Sequence, residues 1–456
     1  MRHNGSETSM ARHPVLSCLR LEKQTLAHML CLRFAVVDVS CVQVIRLHAR
    51  FGVGDCMAVE PVIKKLIVRR FRSFPFECVE FDNPTFLVGR NGSGKSNFAD
   101  VFSFLAESMS SPLQAVFDKR GGISAVRNRS SVRSYPPHLG LSLELGRVND
   151  SLASGRYAFE VKALPNYGFE VVHEQCEAQT PDGIRYWFDR TRHFRTNVSG
   201  LKPSLDPASL CLPVVGGDRR FAPVLRTLGA MRVYAIEPGR LREMQDPDTG
   251  TVLRRDGGNA ASVLQELARS GGDSVQRACE ILANIVPGTT AVRPKKHGNK
   301  LSLEFSQEWG GKKTIKFEAF SMSDGTLRAL GLLMAVFQIP PPSVLVIEEP
   351  ESTIHPGALG AVLDLLRHAS HRMQVIVTTH SPELLDAKWI EERHLRIVTW
   401  EPGASHVGPL ADSSRQAMRN HLMGAGELLR SEALHAAPLF LNTQDLGQGR
   451  LFEDLE

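Results

Sequence analysis

An α/β fold organised on a largely parallel central sheet is predicted by three stretches of the 456-residue sequence. The first is Gly89-Arg90-Asn91-Gly92-Ser93-Gly94-Lys95-Ser96, which follows the apolar run Thr85-Phe86-Leu87-Val88 and precedes a helix-like segment from Asn97 to Glu107. It fits G-x-x-x-x-G-K-[ST], a phosphate-binding loop. The other two are Ser343-Val344-Leu345-Val346-Ile347 and Met373-Gln374-Val375-Ile376-Val377. Such unbroken apolar runs mark parallel strands covered on both faces. Between them, Leu359 to His368 reads as a crossover helix.

The loop carries specific chemistry. Its glycines let the backbone turn tightly and aim successive N–H groups inward, so a polyphosphate meets donors at the positive end of a helix. Lys95 then reaches the β- and γ-phosphates, and the Ser96 hydroxyl holds Mg²⁺. A second, carboxylate-bearing strand completes such a metal site, and Glu348-Glu349-Pro350-Glu351 ends the run from Val344. Adjacent residues at a strand end point in different directions. Glu348 is therefore expected at the metal and Glu349 at the attacking water, as general base. Thr378-Thr379-His380-Ser381-Pro382 ends the next apolar strand, where His380 can bond a γ-phosphate or orient the water. Ser323, in Ser323-Asp324-Gly325-Thr326, caps a helix that turns Leu327, Leu330, Leu333, Met334 and Phe337 to the core. The capped N-terminus is also an anion site, open to a nucleotide held by another subunit.

Composition narrows the class. With 42% hydrophobic and 23% charged residues the chain is long enough for two or three units around a sizeable core. Its formal charge is only +5, and residues 1–56, with seven Lys/Arg against four Asp/Glu, supply three of those charges. Net charge thus gives no argument for nucleic acid. None of the eight cysteines forms a C-x-x-C pair, which disfavours zinc and a disulfide framework and fits a reduced, cytoplasmic compartment. The apolar stretch Met29–Leu47 is interrupted by Arg33, Asp38 and Arg46, too charged for a membrane span and too far from Met1 for a signal peptide.

In chain order, residues 1–56 lack a sustained period and read as a dispensable, disordered extension, with Met57 an alternative translation start. Strands are expected from Val62, around Glu77–Phe81, and at Phe86–Val88, the first two joined by a bend at Phe71-Arg72-Ser73-Phe74. Residues 112–135, with Lys119-Arg120 and Arg127, Arg129 and Arg133, read as a basic loop. Residues 139–215 alternate with period 2 and predict antiparallel strands, with a second basic patch at Arg190, Arg192 and Arg195. Met231–Ile236 is a further strand, Asn259–Ile285 is helical, and Leu301–Phe305 with Thr314–Phe317 forms a hairpin around Gly310-Gly311. After Trp400 the chain turns polar, with at most two short helices.

Taken in order, GRNGSGKS, MSDGT, VLVIEEPE and TTHS resemble the ABC-type ATPase heads of the RecF/SMC-like class, in particular the small prokaryotic predicted ATPases related to the ATPase part of OLD-family proteins. The FRSF bend resembles the opening of such heads. The resemblance spans roughly Val62–Trp400 and implies a P-loop NTPase fold with a mixed or parallel central sheet, an N-terminal antiparallel β lobe and an inserted helical lid. The implied domains are the extension 1–56, a head at 57–400 with its insertion at about 139–318, and a tail at 401–456. It further implies ATP and Mg²⁺ as ligands, Walker A at Asn91–Ser96, Walker B at Glu348 and Glu349, a signature at Ser323, Asp324, Gly325 and Thr326, a D-loop from Glu351 to Pro356, and His380 as switch histidine. Two heads would sandwich two ATP molecules, making a homodimer or higher even oligomer. Glu348 stands where many such proteins have Asp, the signature departs from Ser-Gly-Gly-Gln, and no glutamine is assigned to the Q-loop, Gln114 being a candidate. The function implied is ATP hydrolysis serving DNA repair or anti-phage defence, with possible DNA or RNA contacts and a separately encoded effector. A soluble transporter subunit and a nucleotide-switched scaffold are the alternatives.

Overall fold

The computed structural model describes residues 59–128, 137–148, 151–166, 168–270, 274–310, 313–437 and 451–455. The chain divides into two units, Met1–Met57 and Ala58–Glu456, and the described residues lie in the second. The expected extension, the alternative start at Met57, Arg129, Arg133 and Gly311 fall outside the described residues.

The second unit begins with strands β1 (Ile63–Phe71), β2 (Phe74–Glu80) and β3 (Thr85–Val88), then helix α1 (Lys95–Ser108). Strands β4 (His138–Leu145), β5 (Ser154–Ala163), β6 (Phe169–Gln179), β7 (Arg185–Arg190) and β8 (Phe194–Thr196) follow. They join β1 and β2 in one antiparallel sheet of order β2-β1-β4-β5-β6-β7-β8. Its inward residues, Leu66 and Val68 of β1, Leu141 and Leu143 of β4, and Tyr157 and Phe159 of β5, share a core with Phe98, Phe102 and Leu105 of α1. Period-2 alternation built this lobe as expected, because each strand needs only one apolar face.

Strand β9 (Arg232–Tyr234) leads to helices α2 (Ala260–Ser270) and α3 (Ser274–Ile285). The helical stretch is thus two helices, and Gly271-Gly272-Asp273 between them lies outside the described residues. Next come β10 (Thr289–His297), β11 (Lys300–Glu308) and β12 (Thr314–Glu318), a three-stranded antiparallel sheet against which α2 and α3 pack. The expected hairpin is β11–β12; β10 adds a strand whose last five residues hold Pro294, Arg293, Lys295 and Lys296, so it shows no apolar alternation.

Helix α4 (Asp324–Phe337), β13 (Val344–Glu348), α5 (Leu359–Ser370), β14 (Gln374–Thr379), β15 (Leu395–Glu401) and β16 (Ala404–Gly408) complete the centre. The six-stranded sheet runs β16-β15-β3-β14-β13-β9, parallel from β15 to β9 with β16 antiparallel at its edge. Both its faces are buried. Val344 and Val346 of β13 and Ile376 of β14 face the core that includes α1, while Leu345, Ile347, Val375 and Val377 face the core of α4 and α5. That two-sided burial is the reason the runs are unbroken rather than alternating. The polar stretch after Trp400 holds β16 as well as two short helices, Asp412–Arg419 and Ala425–Arg430.

The two basic patches are corrected by their contacts. Arg120 is buried, its guanidinium 2.9 Å from Asp100 and 2.7 Å from Glu107, both on α1. Short helices at Leu113–Asp118 and Ile123–Val126 replace much of the expected loop. Arg190 is also buried, donating to the carbonyls of Asp206 at 2.8 Å and of Ser209, beside the fully buried Glu174. Arg195 pairs with Asp189 at 2.7 Å. Arg120 and Arg190 therefore hold the lobe together and are not free to meet phosphates. Among the described residues no helix is long and apolar enough to cross a membrane.

Candidate nucleotide site

Three adjacent parallel strands, β3, β14 and β13, end at one edge of the central sheet. Their register sets Val88 beside Thr379 and Thr378 beside Glu348, so the residues that follow each strand emerge side by side. The Gly89 N–H donates to Thr379 O at 3.3 Å and the Glu349 N–H to Thr378 O at 2.9 Å, which extends the pairing one step past the strands. Gly89–Gly94, the carboxylates of Glu348 and Glu349, and His380 are thereby gathered from positions nearly 300 residues apart.

The loop turns into α1 at Gly94, whose φ of 110° is left-handed. A Cβ at this position would also stand 2.4 Å from Ser405 Oγ and 2.8 Å from Ser405 Cβ, so glycine is required twice over. Arg90, Asn91, Gly92 and Ser96 are exposed, whereas Ser93 is buried with its hydroxyl unpartnered. Arg90 reaches Glu432 at 2.7 Å. Lys95 is 6% exposed and folds back to donate to the carbonyls of Gly89 (2.8 Å) and Arg90 (3.1 Å). Burial lowers its pKa, and the charges of Glu349, Glu351 and Glu348 oppose that shift.

Glu349 has a left-handed φ of 44°. Its Oε1 lies 3.2 Å from His380 Nδ1 and 3.9 Å from Lys95 Nζ. Glu351 is buried; its Oε1 accepts from Thr379 Oγ1 at 2.6 Å and from the His380 N–H at 3.4 Å, and its Oε2 has no partner. Glu348, 8% exposed, points instead toward the inserted segment, where Arg255 donates to its Oε1 at 2.5 Å. Neighbouring carboxylates thus diverge as adjacent strand-end residues should.

The Ser323–Thr326 turn lies at the head of α4. Ser323 Oγ caps the helix by accepting from the Thr326 N–H at 3.2 Å, and Ser323 and Asp324 face solvent. Asp324 pairs with Arg242. A Cβ on Gly325 would stand 2.7 Å from Thr353 O, so this turn is packed directly on the segment that follows Glu351. One turn on, Arg328 donates to the backbone carbonyls of Ile236 (2.8 Å), Glu349 (2.8 Å) and Glu348 (3.3 Å). Burial lowers the pKa of Arg328, against the charges of Glu351 and Glu349. Helix α4 and the acidic strand end are therefore fastened within one chain, while among the described residues the Ser323 hydroxyl bonds inside its own turn. Gln114 sits on a short helix and donates to Asp118 at 2.7 Å, a contact that does not bring it to this edge.

The residues fit a magnesium-bound nucleotide. Among the described residues no cluster of three or more His, Cys, Asp or Glu could hold a metal by itself. Mg²⁺ bound through one or two protein oxygens plus substrate phosphates needs no such cage. Of the two loop serines beside Lys95, Ser96 is exposed and the Ser93 hydroxyl is buried and unpartnered among the described residues. Arg255 and Arg328 had not been singled out from the sequence. Arg255 lies 93 residues before its partner with no motif around it, and Arg328 lies off the apolar positions of α4.

Residues 85–194 and 274–386 match the family model described as "AAA domain, putative AbiEii toxin, Type IV TA system". No curated protein matches the chain significantly. Among solved structures it is similar to an Smc head bound to the C-winged helix domain of ScpA, at 16% identity and a TM-score of 0.49, covering 78% of this chain and 99% of that one. It is also similar to the SMC head domain from Thermotoga maritima, at 15% identity and a TM-score of 0.38, covering 76% and 98%.

Proposed function

Because the chain carries an ABC/SMC-like P-loop ATPase head, we propose that it binds ATP with Mg²⁺ and hydrolyses it at the edge formed by β3, β14 and β13. The observation that carries this reading is the convergence of Lys95, Glu348, Glu349 and His380 on three neighbouring strand ends. The backbone N–H groups of Gly89–Ser96 would cradle the phosphates, and Lys95 would leave the carbonyls of Gly89 and Arg90 to meet them. Ser96 and Glu348 would hold Mg²⁺, which when bound neutralises phosphate charge. Glu349 accepts the proton of the attacking water, and His380, 3.2 Å away, fixes the carboxylate's orientation.

The Ser323–Thr326 turn is the second wall of such a site, supplied by another copy. Its solvent exposure and the direct packing of Gly325 on Thr353 support that role. ATP would then draw two heads together, and hydrolysis would part them. The load is a nucleic-acid-linked task, repair or anti-phage defence, performed with a separately encoded effector; the toxin named in the matched family's description favours defence. With Arg120 and Arg190 engaged inside the lobe, duplex contacts would have to come from other cations, and such binding should weaken steeply with salt. The test is phosphate release by the full chain with ATP and Mg²⁺, together with its mass by light scattering. Turnover with a doubled mass supports the reading. Absence of nucleotide binding overturns it.

A further inference from the structure

Glu348 is one of the most buried carboxylates at the nucleotide edge, yet it carries a cation from outside the motif set. The other cations nearby are occupied: Lys95 Nζ bonds two loop carbonyls, and Arg328 bonds three backbone carbonyls. Arg255 alone, among the described residues, donates to the Glu348 side chain. Its backbone is fixed beyond the sheet edge, since the Ala235 N–H donates to Arg255 O at 2.9 Å and the Glu237 N–H to Asp256 O at 3.0 Å. The preceding Arg254 N–H donates to Asn259 Oδ1 at 2.8 Å. The Arg255 side chain itself remains 45% exposed. An anchored backbone with a solvent-facing guanidinium can release its partner without disturbing the fold.

Resting on the nucleotide reading above, we propose that Arg255 is a placeholder cation for the divalent metal: it neutralises Glu348 in the empty head, and Mg²⁺ arriving with the nucleotide must displace it. A guanidinium and a divalent cation on one buried carboxylate repel each other, so arginine and metal compete for Glu348. By linkage, whatever Arg255 contributes to the metal-free state it subtracts from metal affinity. Arg255 is a positioning residue, acting through Glu348. It holds that carboxylate toward its own segment while the head is empty and makes metal entry depend on the phosphates that accompany it.

The test follows binding of a fluorescent, non-hydrolysed ATP analogue to the full chain, titrated with Mg²⁺ from EDTA-treated buffer, alongside thermal melting without metal. Arg255→Ala is expected to lower the half-saturating Mg²⁺ about five- to tenfold and to melt earlier without metal, with that deficit shrinking as Mg²⁺ and analogue are added. Arg255→Lys, which keeps the charge, should restore most of the wild-type Mg²⁺ dependence. Arg254→Ala, which removes only the exposed pair with Asp248, should behave as wild type. If Arg255→Ala does not fold, Arg255→Gln replaces it in the same titration. A merely structural Arg255 would lower the melt but leave the Mg²⁺ midpoint unchanged or raise it, and that result overturns the proposal. A wild-type chain that binds no analogue at any Mg²⁺ concentration overturns the nucleotide reading itself. Analogue binding with unshifted Mg²⁺ midpoints overturns only the role of Arg255.

Discussion

Replacing Glu349 by Gln separates chemistry from binding at this site. The glutamine keeps the length, the left-handed backbone and an acceptor for His380, but removes the negative charge 3.9 Å from Lys95 and the capacity to take a proton from water. General-base catalysis contributes roughly 10²–10⁴-fold, so phosphate release at saturating ATP should fall by about that factor. Stability should change little. The Glu349 and His380 side chains are 35% and 41% exposed, and a contact so open to solvent contributes about 0–1 kcal/mol even where both groups are charged. Nucleotide affinity should persist or tighten, because Lys95 loses a competing carboxylate. The assay pairs steady-state phosphate release with analogue binding and a denaturant melt. If ATP is bound but not cleaved, the two-head species should accumulate in size-exclusion chromatography. Turnover within about threefold of wild type, with binding and stability intact, would refute the assignment of Glu349 as base.

Three further outcomes follow from particular contacts. Arg120→Met leaves Asp100 and Glu107 without their shared guanidinium; Arg72 still holds Asp100 at 2.6 Å, so the loss should be about 3 kcal/mol, the low end for a broken buried pair, read as a lower urea midpoint. Burial raises Asp100's pKa, but Arg120 and Arg72 outweigh it and hold the carboxyl below its usual range, so in Arg120→Met this compensation weakens and less stability should be lost as pH falls through the carboxylate range. Glu77 is the reverse case: burial pushes it up to about 8, with the Val407 N–H opposing, from an ordinary value of 4.5. Its contribution is fully present below about 4.5 and is lost as pH rises through about 8, so Glu77→Gln should flatten the pH dependence of the urea midpoint across that window; an unchanged slope would contradict this. Gly94→Ala should weaken analogue binding and cost about 1–2 kcal/mol from the left-handed backbone alone, with the Ser405 clash added to it, both measurable in one melt-and-bind experiment.

What could be read from the sequence follows the range of each signal. The loop at Gly89–Ser96, the acidic end of β13 and the cap at Ser323 are local: each states its geometry within a few residues. The two-sided burial of β13 and β14 was legible for the same reason, since composition alone distinguishes a covered strand from a half-covered one. Charge function was not local. Arg120 and Arg190 read as surface basics, yet their partners, Asp100 and the carbonyls of Asp206 and Ser209, come from other turns of chain. Strand β9 was expected as a strand, but its parallel partner β13 lies more than 100 residues ahead, and no periodicity reveals a pairing at that distance. Strand β16 escaped because an edge strand needs no full apolar face and its alternation is diluted by Ser405 and His406.

The residues left between the two matched family segments, 195–273, are the ones that bring this head its individual character. A surface insertion would touch the nucleotide edge only at its ends. Here the stretch contributes β9, which completes the parallel sheet beside β13, and then returns as Arg254–Asp256 to bond the chain just past β9 and set Arg255 on Glu348. Ile236 in the same stretch receives Arg328 from the signature helix and packs against Gly331, where a Cβ would stand 2.5 Å away. Movement of α4 would therefore strain the strand that carries Arg255's anchor. Glu348, α4 and the segment that carries Arg255 are linked in this order, so under the proposed nucleotide reading movement at the Ser323–Thr326 turn can reach Arg255. The Mg²⁺ midpoint of Arg255→Ala, measured with and without two-head assembly, distinguishes this route from a passive insertion: coupling requires the midpoint shift to differ between the two states, and an identical shift in both would uncouple the segment from the signature.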